Sequence, residues 1–86
     1  MDLRVQRPGP PYDAELRNWT VYRTQGFVVA IGEVYNDNKG RWPDGRLIQT
    51  SALLTPDVAK EGNVVATMNS FYLLVGPNRG LDEIFT

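Results

Sequence analysis

Arg41-Trp42-Pro43-Asp44-Gly45-Arg46 sets two guanidinium groups and an indole around a Pro-Asp-Gly corner. Arginine presents a flat fork of five donors that matches a phosphate and stacks on rings, which a lysine ammonium cannot do. Downstream, Thr50, Ser51 and Thr67 offer hydroxyls, Asn69 an amide, and Tyr72 a ring, with Tyr35 and Arg79 as further members. A small anion carrying an aromatic base calls for that set: forks and hydroxyls for its phosphate, a face to stack on, and an amide to read a base edge. The candidate binding residues are therefore Arg41, Trp42, Arg46, Thr50, Ser51, Thr67, Asn69 and Tyr72. Each also has a plain structural role, as core ring, strand former or bulge; the cluster is what points to a ligand.

Other chemistries are poorly supplied. The chain contains no histidine and no cysteine, which removes the usual general base, the commonest metal ligands and any thiolate nucleophile. No phosphate-loop, zinc-protease or serine-hydrolase motif occurs, and the acids are scattered. A pair such as Glu33 with Asp44 could converge as acid and base, but nothing in the spacing favours that over ordinary solvation. The expectation is a non-enzyme with no cofactor and no metal. A net charge of −1 argues against a sequence-independent grip on duplex DNA. Seven of the nine basic residues are nonetheless arginine, so local anion recognition stays open.

These residues need strands to position them. Trp19–Arg23 alternates large and polar side chains, and Thr24-Gln25-Gly26 then makes a tight connection. Phe27–Tyr35 opens with five apolar residues, which implies cover on both faces, and its Gly32 marks a bulge or a close backbone approach. Asn36–Gly40 is a loop by composition. In Pro43-Asp44-Gly45 the proline fixes φ and the glycine takes the left-handed position, leading into a strand over Arg46–Leu54. Pro56–Lys60 has room for one helical turn. A last strand runs over Val64–Val75, interrupted by Asn69-Ser70, which either bends it into two or is held there for a purpose. Asp13–Asn18 reads as a short helical turn capped by Asp13, residues 1–12 as an extended or disordered arm, and 78–86 as a tail with a short helix through Leu81–Phe85.

The sum is a mainly β fold: a small four-stranded antiparallel sheet or half-barrel over 13–77, with an extended N-terminal arm and at most short helices. Eighty-six residues bury a thin core. At least two strands are apolar on both faces, so the second face needs cover. A second copy of the chain is the simplest cover, which predicts a homo-oligomer; the arm and tail folding over the sheet is the alternative.

Gly32-Glu33-Val34-Tyr35-Asn36-Asp37, Gly40-Arg41-Trp42-Pro43-Asp44-Gly45, Ile48-Gln49-Thr50-Ser51 and Val65–Leu73 together resemble a family of small phage-encoded β proteins. Its pattern is a glycine-valine strand, an aromatic-x-Asp-Gly turn, an Ile-x-Thr-Ser strand and a Thr-x-Asn-Ser-x-Tyr-x-Leu strand. The likeness spans residues 19–76 and carries Trp42 where the pattern has Phe. It implies a counter-defence sponge of the Thoeris or CBASS inhibitor type, which sequesters a cyclic nucleotide or cyclic ADP-ribose signal without degrading it. It further implies an oligomer holding ligand at subunit interfaces, with Arg46, Thr50, Ser51 and Asn69 nearby.

The rival reading is a protein-binding inhibitor of a host defence enzyme, comparable to an anti-CRISPR. Small size and acidity suit it equally. No segment approaches a membrane span and the N-terminus lacks the apolar core of a signal peptide, so the expected location is the host cytoplasm, without membrane or duplex nucleic-acid partners.

Overall fold

The computed structural model of this chain describes residues 11–84. Five strands form one mixed sheet: β1 Ala14–Thr24, β2 Phe27–Tyr35, β3 Arg46–Gln49, β4 Val64–Ala66 and β5 Phe71–Val75, in spatial order β3-β2-β1-β5-β4. A 3-10 turn at Pro56–Val58 and one helical turn, α1, at Leu81–Ile84 complete it.

Several expectations are corrected, among them the strand over Arg46–Leu54, which ends at Gln49. The sheet has five strands and is mixed, because β1 pairs antiparallel with β2 on one side and parallel with β5 on the other. Asp13–Asn18 is not a helical turn; Ala14 to Arg17 lies in register with Tyr72 to Val75. Asp13 does satisfy a backbone donor, as a helix cap would, but the donor is the Phe71 N–H at 2.8 Å. The predicted strand over Val64–Val75 is two strands, since Thr67–Ser70 reverses the chain and returns it antiparallel along β4. Most of the expected arm at 1–12 lies outside the described residues.

Strand alternation sorts the side chains into two faces. One carries the core: Ala14, Leu16 and Trp19 from β1, Val28, Ala30 and Val34 from β2, Ile48, Val65, Tyr72 and Leu74, with Leu53 beyond β3. Placing Trp19 there requires a bulge. The β1–β2 register slips between Arg17 and Thr20, so Asn18 and Trp19 together oppose Gly32, and Asn18 takes φ 50° to do it. Gly32 is the space Trp19 needs, because a Cβ at 32 would lie 3.0 Å from Trp19 Cβ and 3.1 Å from Trp19 Cα. Backbone cannot step aside as a flexible side chain would. Gly32→Ala is therefore expected to destabilise by about 1–3 kcal/mol, read as a lowered urea midpoint with an unchanged slope.

Beyond β3 the chain closes the sheet at one end. Thr50 N–H donates to Ala30 O and Leu53 N–H to Val28 O, continuing the contact with β2, while Leu54 N–H donates to Ala66 O and Leu53 bridges Thr67. Residues 50–54 thus link the β2 side of the sheet to β4, and the core face becomes the inside of a partly closed barrel.

The second face is covered in part by the C-terminal segment. Trp19 Nε1 donates to Gly76 O, Arg79 N–H donates to Trp19 O, and Thr20 Oγ1 lies 2.7 Å from Asn78 Oδ1. Leu81 then lines a hollow with Tyr22 and Ile31. Tyr22, Phe27, Leu47 and Phe71 stay exposed. No helix among the described residues is long and apolar enough to cross a membrane.

Candidate ligand-binding cleft

The loop between β2 and β3 begins with a reversal that aims its side chains at the barrel mouth. Asn36 takes φ 54° and Gly40 φ 67°, backbone that Asn and Gly adopt at little cost. Asp37 organises the turn between them: its carboxylate accepts the backbone N–H of Lys39 at 3.2 Å and of Arg41 at 2.7 Å, and then the Arg41 guanidinium at 2.9 Å. A second turn follows, where Asp44 Oδ1 accepts the Asn36 N–H, Gly45 N–H donates to Val34 O, and Gly45 sits at φ 90°. Both turns hang from the end of β2, so the loop is held at each end.

Arg41 is the centre of the resulting site. Its guanidinium carbon lies 4.3 Å from the Trp42 ring centroid and 5.8 Å from that of Tyr72, inside cation–π range. Nε and Nη2 are taken by Asp37, and Nη1 donates to Ser70 Oγ at 2.6 Å. A guanidinium has five N–H groups, so this one is fixed in plane and still has donors to give. Lys39 Nζ approaches from the same loop, donating to Asn69 O and Ser70 Oγ.

Burial pushes the Asp37 carboxyl up, and hydrogen bonds from the Arg41 side chain and from the Arg41 and Lys39 backbone outweigh it, holding the group at about 2 against an ordinary 3.8. Arg41 is correspondingly held above its ordinary value, chiefly by Asp37. A carboxyl depressed on folding contributes stability that is complete above its unfolded value and is lost as pH falls through the folded one. The loop is thus expected to weaken between pH 3.8 and about 2. An acid titration followed by Trp fluorescence checks this, and Asp37→Asn should remove that part of the acid transition.

Arg41, Trp42, Thr50, Ser51, Asn69 and Tyr72 line one cleft of about 440 Å³, together with Lys39 and Gln49. Six of the eight residues singled out by type and spacing therefore meet, drawn from the β2–β3 loop, the end of β3, the β4–β5 turn and β5. Their free groups differ. Thr50 Oγ1 is spent, accepting the Ala30 N–H and lying 2.7 Å from Ser51 O. Ser51 Oγ accepts one N–H from Asn69 Nδ2 at 2.9 Å and keeps its own proton to donate. Tyr72 is buried and offers a ring wall.

Two predicted residues are placed elsewhere. Thr67 is buried inside the β4–β5 turn, where its hydroxyl accepts the Asn69 and Ser70 N–H groups and donates to Ser70 O, so its work is holding that turn. Arg46 opens β3 opposite Val34, exposed and outside the cleft lining. Tyr35 carries Arg17 at 4.3 Å on the other face. Arg79 lines a separate hollow of about 220 Å³ with Asn18, Glu33 and Leu47. Glu33 accepts a bond from Asn18 at the β1 bulge and Asp44 one from Asn36 in the β2–β3 loop, so the two acids serve different places.

Lys39 and Gln49 were missed. Lys39 sits in a loop whose composition announces only a turn, and Gln49 reads as the polar side of a strand. The usable signal was position: Gln49 precedes Thr50-Ser51, and Lys39 precedes Arg41 by two residues. No family model, curated protein or solved structure matches this chain.

Proposed function

We propose that this protein is a non-catalytic binding module that holds a small nucleotide-type anion in the cleft between the β2–β3 loop and the β4–β5 turn. One observation carries the reading: an arginine stacked on Trp42, pinned by Asp37 and Ser70, stands beside a second cation, a free hydroxyl and two amides in a single cleft. Phosphate, ring and base edge each find a counterpart there. The carboxylate at the site, Asp37, is committed to Arg41 and to two backbone N–H groups, which leaves it poorly placed to act as a base.

The sequence resemblance extends the proposal to biology: a phage counter-defence protein of the host cytoplasm, working as a homo-oligomer, that sequesters a cyclic nucleotide or cyclic ADP-ribose-type immune signal unchanged. The experiment is a melting-temperature screen against cyclic dinucleotides, cyclic trinucleotides and cyclic ADP-ribose isomers, followed by chromatography of the released ligand. A ligand at 100 times its dissociation constant adds about 2.7 kcal/mol, worth several degrees in a chain this small. Recovery of unaltered ligand is the expected result. Turnover of the ligand would refute sequestration, and no shift with any compound would refute nucleotide binding and favour a protein target.

A further inference from the structure

The edges of the sheet are finished differently. Along β4, Ala66 N–H donates to Thr55 Oγ1 and Ala66 O accepts the Leu54 N–H, so that edge is occupied by residues 54–55. β3 has no such cover among the described residues. Thr50 N–H donates to Ala30 O and the register continues with Ile48 opposite Gly32, so the bonded positions are Ile48 and Thr50. Bonded and non-bonded pairs alternate in an antiparallel ladder, which turns the N–H and C=O groups of Leu47 and Gln49 away from β2. No backbone group of another described segment meets them. The devices that usually blunt such an edge are sparse here: Arg46–Gln49 carries a single charge, at its first position, and neither a proline nor a bulge.

The side chains along this edge complement one another. Leu47 alternates with the buried Ile48, so it lies on the face opposite the core, where it is 48% exposed. On that same face Tyr22, Ile31, Gln49 and Leu81 line a hollow of about 390 Å³, with Gln49 on the outermost strand. An apolar knob and an apolar hollow thus flank Ile48 on one edge strand, which is what a two-fold contact needs. We infer that two copies of the chain join by antiparallel pairing of β3 with β3, the axis passing at Ile48 and Leu47 of each copy standing opposite Gln49 of the other. The opposed residues then exchange both backbone bonds, and each Leu47 extends the row that Ile31 and Gln49 begin, at the rim of the other copy's hollow. Arg46 falls opposite Thr50 of the second copy, so the charges of the joined strands stay apart; a parallel pairing in register would set them side by side. A foreign strand would satisfy the same backbone groups, but a second copy also brings its own Leu47 to the hollow. This contact rests on the reading of the protein as a homo-oligomer and gives that oligomer its interface.

The test is disulfide trapping of the full chain, which has no cysteine of its own. Leu47→Cys and Gln49→Cys are oxidised separately and as an equimolar mixture. Directly opposed residues in such a ladder have Cα atoms about 5.5 Å apart, within disulfide reach, while residues two positions out of step do not. Covalent dimer is therefore expected in the mixture and in neither variant alone. Sedimentation over a concentration series is the second readout. The unaltered chain is expected to associate into dimers or multiples of them, and Leu47→Lys, its folding checked by circular dichroism, to weaken that association at least about tenfold. An oligomer that is not trapped in the mixture, or that Leu47→Lys leaves as tight as before, overturns the β3 contact and leaves the homo-oligomer standing through another face. Trapping of either variant with itself overturns the register. A chain that stays monomeric throughout overturns the contact and the oligomer together, and slow exchange of the Leu47 and Gln49 amides in that monomer would show the edge covered from within the same chain.

Discussion

Trp19→Ala is expected to lower the unfolding free energy by about 3–5 kcal/mol, the range for emptying a fully enclosed large aromatic. Domains of this kind have only about 5–15 kcal/mol in total, so the variant should lose a large share of its stability. Trp19 is 0% exposed and does two jobs at once. Its ring fills the barrel opposite Gly32, and its Nε1 donates to Gly76 O at 2.8 Å, anchoring the point where β5 gives way to the C-terminal segment. Trp19→Phe separates these jobs, keeping most of the volume and losing the hydrogen bond. That variant should lose only about 1–3 kcal/mol, mainly for the orphaned carbonyl and the smaller ring. Urea unfolding of all three proteins is the measurement. Equal losses in both variants would show that the hydrogen bond, rather than the packed ring, dominates.

Arg41→Ala is expected to abolish ligand-induced stabilisation altogether and to cost the free protein about 1–3 kcal/mol besides. The second effect arises because Asp37, with 1% of its side chain exposed, keeps its two backbone N–H donors but loses its counter-charge. The lower part of the range is expected, since Arg41 itself is 26% exposed and solvent screens the pair. Arg41→Lys restores a charge without the planar fork, and it cannot both face Asp37 and reach Ser70 in one plane. It should recover much of the stability and little of the binding. Should Lys restore binding fully, the site needs only a point charge and the stacked-fork argument fails.

The parts of this fold that were legible in the sequence are those where local chemistry and tertiary structure agree. Pro43-Asp44-Gly45 reads as a corner and is one, because Gly45 takes its positive φ from the same turn that seats Asp44 on the Asn36 N–H. Phe27–Tyr35 reads as a strand covered on both faces, and Val29 and Ile31 are indeed buried on the face opposite the core. Gly32 reads as a close approach and meets Trp19. What could not be read is what only a distant partner decides. Asp13–Asn18 carries the marks of a capped helical turn, yet β5, nearly sixty residues later, offers Ala14–Arg17 a ladder of backbone bonds that outweighs a weak local preference. The cleft divides the same way. Six residues of suitable chemistry did converge, whereas Thr67 and Arg46 share that chemistry and are turned elsewhere by a tight reversal and by the first position of an edge strand. Side-chain type says what a residue can do, and only the register says whether it is present where the work is done.

The parallel pairing of β1 with β5 has a temporal consequence. As the chain leaves the ribosome, β1 and β2 emerge together and are free to pair, but β5, the partner for the other edge of β1, is absent until residues 71–75 emerge. Through that interval the middle strand of the finished sheet is an outer strand with unpaired N–H and C=O groups, open to pairing with a neighbouring nascent chain. Joining two segments so far apart is also the slow, entropically expensive step of such topologies. The order of synthesis thus leaves the last strand of the sheet to finish its centre.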